Sequence, residues 1–329
     1  GAGFPDADYI AAGASMADTP AQIYEACDMV MHVKEPQPSE YDMIREDQIV
    51  FTYLHLAADE QQTRALIKSK SIDIAYETVE KDNGSLPLLL PMSEVAGRMA
   101  TQEAAKYLEM PQGGMGVLLG GVTGVEPATV VVIGGGVVGV NAAKMACGLG
   151  AKVYILDTNL ERLRYLDDVM PANCFPIMSN AAILEEMVVK AEVVIGAVLV
   201  AGAKAPKLLT REMLKKMKDG SVVVDVAIDQ GGCFETSKAT SHDDPTYVVE
   251  GVTHYCVANM PGAVARTSTR ALTNATLPYA IEIANKGWKK AMQDNKEIRL
   301  GANVIKGEVT FKAVADAFDL DYTPVEKFL

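Results

Sequence analysis

Cysteine, long apolar runs and basic residues are all in short supply in this chain, and each shortage closes off a class of protein. The five cysteines, Cys27, Cys147, Cys174, Cys233 and Cys256, are odd in number and scattered, with no C-x-x-C spacing. That argues against a disulfide framework and a thiolate zinc site, and fits small buried residues in a reducing cytoplasm; no metal is expected. No apolar run approaches the roughly 18 residues of a transmembrane helix and no secretory leader is visible, so no membrane partner is expected. Thirty Lys and Arg against 43 Asp and Glu leave a formal charge of −13. A surface of that sign repels phosphates, which excludes a nucleic-acid partner. What is present is 329 residues, 49% of them hydrophobic, enough for a large core and for two domains. The chain opens on Gly1-Ala2-Gly3-Phe4 and not on Met, and the expectation is that a true N-terminal segment is missing.

The most informative stretch runs from Ala128 to Ala143. An apolar β-branched run over 130–133 is too short for a helix and too greasy for an edge, so it reads as a central parallel strand. Gly134, Gly136 and Gly139 follow at the Gly-x-Gly-x-x-Gly spacing. The first glycine permits the tight turn, the second lets the backbone approach a pyrophosphate, and the third lets the next helix pack close. The N–H groups of that helix can then hold the anion. Glycine clusters also make ordinary strand-to-helix turns. Here, however, a second strand over 152–156 ends in Asp157, at the distance where an acidic side chain accepts from adenosine ribose hydroxyls. A carboxylate there repels a 2′-phosphate, so NAD is expected over NADP.

Elsewhere the patterns alternate. Two short helices are expected over 6–27, with Asp18-Thr19-Pro20 as a cap. Strands follow over 28–33, 48–54 and 71–76, with a helix over 63–70 and a turn over 81–85. A long alanine-rich helix over 93–108, capped by Ser93, bridges into the nucleotide domain, and residues 113–124 read as turns with a short strand. Beyond the glycine turn come helices over 159–168, 181–190 and 210–217 and strands over 174–178, 193–198 and 221–228. This is the alternation of a doubly wound parallel sheet. A second long helix begins near Thr267 and should kink at Pro278. Residues 297–329 are too few for a third domain and should return to the first. The expectation is therefore an α/β protein of two domains: a Rossmann-type domain over 91–265, and a discontinuous α/β substrate domain formed by 1–90 and 266–329.

Lys34, His55 and Asp229 each fall at the carboxyl end of an expected buried strand, where open α/β sheets bind ligands. Lys34 can polarise a carbonyl or hold a carboxylate, His55 can exchange a proton near neutrality, and Asp229 can orient water or shuttle a proton. The plain alternatives are a solvated loop lysine, a satisfied structural histidine, and an aspartate capping the Gly231-Gly232 turn. Asp225, four residues before Asp229, reads as a buried partner shaping that turn. Glu77 and Arg98 stand second, each with a local ion pair as its alternative. His32, His242 and His254 read as structural or surface groups.

Several blocks carry a closer resemblance. They are Val33-Lys34-Glu35-Pro36, residues 51–58, 91–98, 195–199 with 202–207, 224–232 and 258–264. Together they are similar to the alanine dehydrogenases, along nearly the whole chain. The resemblance implies reversible NAD-dependent oxidative deamination of L-alanine to pyruvate and ammonia by a homohexamer of two-domain subunits. It assigns substrate binding to Lys34, catalysis to His55 and Asp229, and ribose binding to Asp157. Ser93, Ser179 and Asn259 match positions lining the nucleotide cleft. Two departures stand out: no arginine here matches the family's N-terminal carboxylate clamp, and Ala265 replaces a usual proline. The alternatives are a nucleotide-binding component of a proton-translocating transhydrogenase and a non-catalytic nucleotide-binding remnant.

Overall fold

The computed structural model describes residues 1–198 and 205–329. Leu199 and residues 202–204, part of one family-like block, lie outside the described residues. The chain divides into two compact units, one formed by Gly1–Pro91 with Arg266–Leu329 and the other by Met92–Ala265.

The first unit starts with α1 (Asp6–Ala11) and α2 (Pro20–Ala26), then β1 (Met29–Met31), β2 (Ile49–Thr52), α3 (Glu60–Ser69) and β3 (Ile72–Ala75). Thr19 sits at the N-cap of α2 without a side-chain cap bond, and Pro20 supplies the preset φ of the first turn. Helix α4 (Leu90–Tyr107) begins three residues before Ser93, so Ser93 lies inside its first turn and caps nothing. Pro91 explains the earlier start, because a ring without an N–H is tolerated in that turn.

The second unit holds β4 (Thr129–Ile133), α5 (Val137–Gly148), β5 (Lys152–Asp157), α6 (Leu160–Val169), β6 (Cys174–Met178), α7 (Ala181–Lys190) and β7 (Val193–Gly196). It closes with α8 (Arg211–Leu214), β8 (Val222–Asp225), β9 (Thr246–Val249) and β10 (Val252–Tyr255). The strands form one seven-stranded sheet in the order β6-β5-β4-β7-β8-β10-β9. All its pairings are parallel except β10 with β9. This antiparallel edge hairpin is absent from the sequence reading. Its signal is Glu250-Gly251, two consecutive residues at positive φ of 51° and 75° between β-branched runs. Residues 113–124 contain no named strand, only a bridge between Val122 and Val125.

Doubly wound packing follows from strand periodicity. In β4, Val130 and Val132 point into one buried cluster with Ala100 and Ala104 of α4 and Ala142 and Ala146 of α5. Val131 and Ile133 point into another with Leu184 and Val188 of α7. Each fully buried Val or Leu contributes about 1.5–3 kcal/mol, so a strand apolar on both faces is stable only with helices on both sides.

The chain then re-enters the first unit through α9 (Ala265–Asp294), α10 (Lys296–Leu300), β11 (Ala302–Ile305), β12 (Glu308–Val309) and α11 (Lys312–Phe318). The backbone keeps helical φ and ψ through Pro278, where a kink is expected, and leaves helical geometry at Gly287, φ 74° and ψ 156°. A proline φ is compatible with a helix, whereas Gly287 takes a positive φ that a side chain resists. β11 pairs antiparallel with β3, completing a five-stranded sheet in the order β1-β2-β3-β11-β12. Among the described residues no helix is long and apolar enough to cross a membrane.

Candidate functional site

In the first unit β1, β2 and β3 are mutually parallel, so their carboxyl ends share one edge of the sheet. Lys34 lies three residues beyond β1 and His55 three residues beyond β2, counted from Met31 and Thr52. Glu77 lies two residues beyond β3, in the 3-10 turn Tyr76–Thr78. Lys34 is exposed, and its carbonyl is anchored by the hydroxyl of Thr52 at 2.9 Å and by His32 Nδ1 at 2.9 Å. His55 sits in the left-handed region, φ 50° and ψ 37°, with its side chain half exposed. The Glu77 carboxylate accepts the His55 N–H at 2.5 Å and the Leu54 N–H at 3.2 Å, and lies 3.8 Å from His55 Nδ1. Burial, reinforced by the Glu77 charge, pushes the Tyr53 phenol well above its ordinary value, and its O–H donates to the Leu88 carbonyl at 2.6 Å. Glu77 is thus more than the local ion-pair partner expected from sequence.

In the second unit the glycines have distinct roles that can be read from the space around each. Gly134 takes φ 105°, and a Cβ there would stand 2.8 Å from the Ala197 carbonyl oxygen. At Gly139 a Cβ would fall 1.8 Å from the Gly134 oxygen, so α5 can follow the turn only with glycine. At Gly136 a Cβ would meet nothing within 4 Å, leaving room in front of the first turn of α5, whose N-cap carries no side-chain bond. A cradle with open space beside helix N–H groups fits a dinucleotide pyrophosphate. Gly97, overlooked in the sequence, brings α4 against α5, since a Cβ there would be 2.2 Å from the Val138 oxygen. Its signal is a lone glycine inside an otherwise alanine-rich helix.

Asp157 ends β5 as expected. Its Oδ2 accepts the Gly135 N–H at 2.7 Å and its Oδ1 the Asn159 N–H at 2.8 Å, while its carbonyl accepts the Ser179 N–H at 2.8 Å. Arg162 Nε donates to the Gly135 carbonyl at 2.6 Å, so the turn is tied to α6 as well. Asn259 is exposed and left-handed, φ 54°, opening the 3-10 turn Met260–Val264. Arg98 donates through Nε to Asn141 Oδ1 at 3.1 Å, which replaces the expected ion pair with an amide contact.

Asp229 does not end a strand. β8 stops at Asp225, and Asp229 is carried by the 3-10 turn Val226–Gln230, at an exposed position. The buried Asp225 shapes that turn: it accepts the N–H groups of Ala227 at 3.0 Å, Cys233 at 2.8 Å and Phe234 at 3.3 Å, and the Ser237 hydroxyl. Such a carboxylate converts an apolar strand end into a fixed loop, because an unpaired buried charge is prohibitively costly. Of the other histidines, His254 is buried, which lowers its pKa, and His32 and His242 are exposed.

The family models described as alanine dehydrogenase/PNT match this chain twice: the N-terminal domain over residues 1–96 and the C-terminal domain over residues 100–312. The chain belongs to the alanine dehydrogenase/PNT family. It is 58% identical over 322 residues to an alanine dehydrogenase of Halomonas elongata, covering 98% of this chain and 87% of that one. It is 56% identical over 330 residues to one of Methanococcus maripaludis, covering 100% of this chain and 88% of that one. A solved L-alanine dehydrogenase superposes with a TM-score of 0.93 at 51% identity, over 97% of this chain and 88% of that one. A transhydrogenase from Sinorhizobium meliloti shares the fold, with a TM-score of 0.80 at 24% identity, over 94% of this chain and 88% of that one.

Proposed function

We propose that this protein is an NAD-dependent alanine dehydrogenase, converting L-alanine, NAD⁺ and water reversibly to pyruvate, ammonium, NADH and a proton. The observation that carries the reading is the placement of Lys34 and His55, each three residues beyond parallel strands β1 and β2, on one carboxyl edge of the first unit's sheet. Lys34 Nζ holds the substrate carboxylate and steadies negative charge that develops on the carbonyl oxygen. His55 or Asp229 takes the proton of the attacking water, and both are exposed at turns that follow sheet strands. NAD, when bound, supplies the hydride acceptor. The groups of this chain that hold it are the turn of Gly134, Gly136 and Gly139 for the pyrophosphate and Asp157 for the ribose, with Ser93, Ser179 and Asn259 as further contacts. The working assembly in this reading is a cytoplasmic homohexamer. The direct test of the reaction is NADH and pyruvate formation from L-alanine and NAD. The reading fails if alanine yields no NADH, or if hydride passes between nicotinamide cofactors with no need for an amino acid. Light scattering of the eluting protein tests the hexamer, which a monomer or dimer mass would refute.

A further inference from the structure

We propose that Glu77 is the positioning residue of His55, fixing the imidazole tautomer that carries its proton on Nδ1 and leaves Nε2 as the base. The inference rests on the reading of His55 given above. Three observations converge on it. The Glu77 side chain is only 14% exposed, and strand pairing places its turn next to the chain leaving β2. Its oxygens take two consecutive backbone N–H groups, those of Leu54 and His55, at the point where His55 adopts the left-handed conformation. That conformation is uncommon for a residue with a Cβ, and charge-assisted hydrogen bonds to the two amides offset its cost. The same Oε1 faces His55 Nδ1 at 3.8 Å.

The remaining support comes from Tyr53, whose ring lies parallel to the imidazole, 2° between planes and 5.8 Å between centroids. Tyr53 is itself fixed through its O–H to the Leu88 carbonyl, so the imidazole is backed by a rigid surface. Among the described residues, the titratable side chains seen against the imidazole are Glu77, from the turn after β3, and Tyr53, from the chain after β2. Tyr53 stays neutral, because burial and the Glu77 charge both hold its phenol protonated. An ionised carboxylate has no proton to give, so a neutral imidazole facing it presents N–H at Nδ1 and a lone pair at Nε2. A gap of 3.8 Å is too long for a hydrogen bond, and contacts of this kind tighten when substrate is bound.

The test uses the whole protein labelled with ring-15N histidine, whose four histidines allow assignment of His55 by loss of its signals in His55→Gln. Solid-state 15N spectra of the neutral ring should show protonated Nδ1 and bare Nε2 in the wild type. In Glu77→Gln the oxygen kept on the backbone amides is the one that also faces Nδ1, so the variant holds the turn but loses the charge, and the ring should shift towards the tautomer protonated on Nε2. With alanine and NAD, Glu77→Gln should lose about 10- to 100-fold in kcat with little change in KM. The expected loss is smaller than the ~10⁴ seen when a fully buried carboxylate partner of histidine is made an amide. In a His55→Ala background the Glu77 change should cost nothing further. A wild-type ring protonated on Nε2, an unchanged tautomer in Glu77→Gln, or a full additional loss in the His55→Ala background would each overturn the proposal. If Glu77→Gln does not fold, the wild-type spectrum and Glu77→Asp, which should keep the Nδ1 proton, decide it. The spectra are read without turnover, so an enzyme inactive with alanine would refute the functional reading and leave the tautomer result standing.

Discussion

Two turns, one in each unit, solve the same local problem by different means. Gly134 follows β4 at φ 105°, and His55 follows β2 at φ 50°. In the second unit the left-handed position is occupied by glycine, where a Cβ would stand 2.8 Å from the Ala197 carbonyl oxygen, and the helix that follows needs a second glycine, because a Cβ at Gly139 would strike the Gly134 oxygen five residues earlier. In the first unit the position carries a histidine, and what steadies it is a carboxylate 22 residues further along. One turn leaves open space before the first turn of α5, and the other presents an ionisable ring. Substitutions should therefore separate folding from chemistry in opposite ways in the two units.

The largest effect should be on chemistry in the first unit. Lys34→Ala and His55→Ala, both at exposed positions, should lower kcat/KM for alanine by about 10²–10⁴-fold. NAD titration and thermal melting should change little; an equal loss of melting temperature would make these residues structural and erase the contrast. Next, in the second unit, Gly139→Ala should destabilise the protein by about 3 kcal/mol or more and abolish NAD binding, because the new methyl would sit 1.8 Å from a carbonyl oxygen. Gly136→Ala sharpens the point, since its Cβ meets nothing in the protein. Melting should stay within about 0.5 kcal/mol of wild type while NAD affinity falls. An unaltered NAD affinity in Gly136→Ala would remove the pyrophosphate from this turn.

Smaller still, Asp157→Ala should reduce the preference for NAD over NADP by about 10- to 100-fold, the worth of a charged hydrogen bond to the ribose. An unchanged ratio of kcat/KM values would count against that contact. The last prediction concerns the stability of the first unit. Asp73, in the middle of its sheet, is fully buried, and burial raises its pKa well above the usual carboxylate value, with the Ser71 hydroxyl opposing. The unfolded chain ionises first, near pH 3.9, so folded stability falls as pH rises above that value, at up to about 1.4 kcal/mol per pH unit until the folded group ionises. Asp73→Asn should remove this slope and leave the variant more stable than wild type at pH 7, as read by urea unfolding at pH 4 and pH 7. Parallel pH dependences in the two proteins would refute it.

What could be read from sequence was what depends on nearby residues. β6 and α7 fall where their patterns place them, Cys174–Met178 and Ala181–Lys190, because apolar periodicity is a local signal; the Asn180 side chain, unremarked in the sequence reading, caps α7 by accepting the Ile183 N–H. The glycine turn was legible for the same reason. The Glu77 grip on His55 was not, since it depends on β2 and β3 lying parallel. From sequence Asp229 reads as a strand end because residues 222–228 are apolar but for Asp225; in the structure the buried Asp225 ends the strand by capturing amides from Ala227 and from Cys233 and Phe234. A rule about missing donors puts the bend of α9 at Pro278, whereas Gly287 takes the non-helical φ.

The most direct test of the central claim, that a pair of residues on one sheet edge acts on alanine while a separate glycine turn holds NAD, is NADH formation from L-alanine by wild-type and His55→Ala protein at saturating NAD. NADH and pyruvate should appear in equal amounts with the wild type, and the rate should collapse in the variant while its NAD affinity is kept. A wild-type protein that forms no NADH from alanine, or a variant that keeps the wild-type rate, would contradict it.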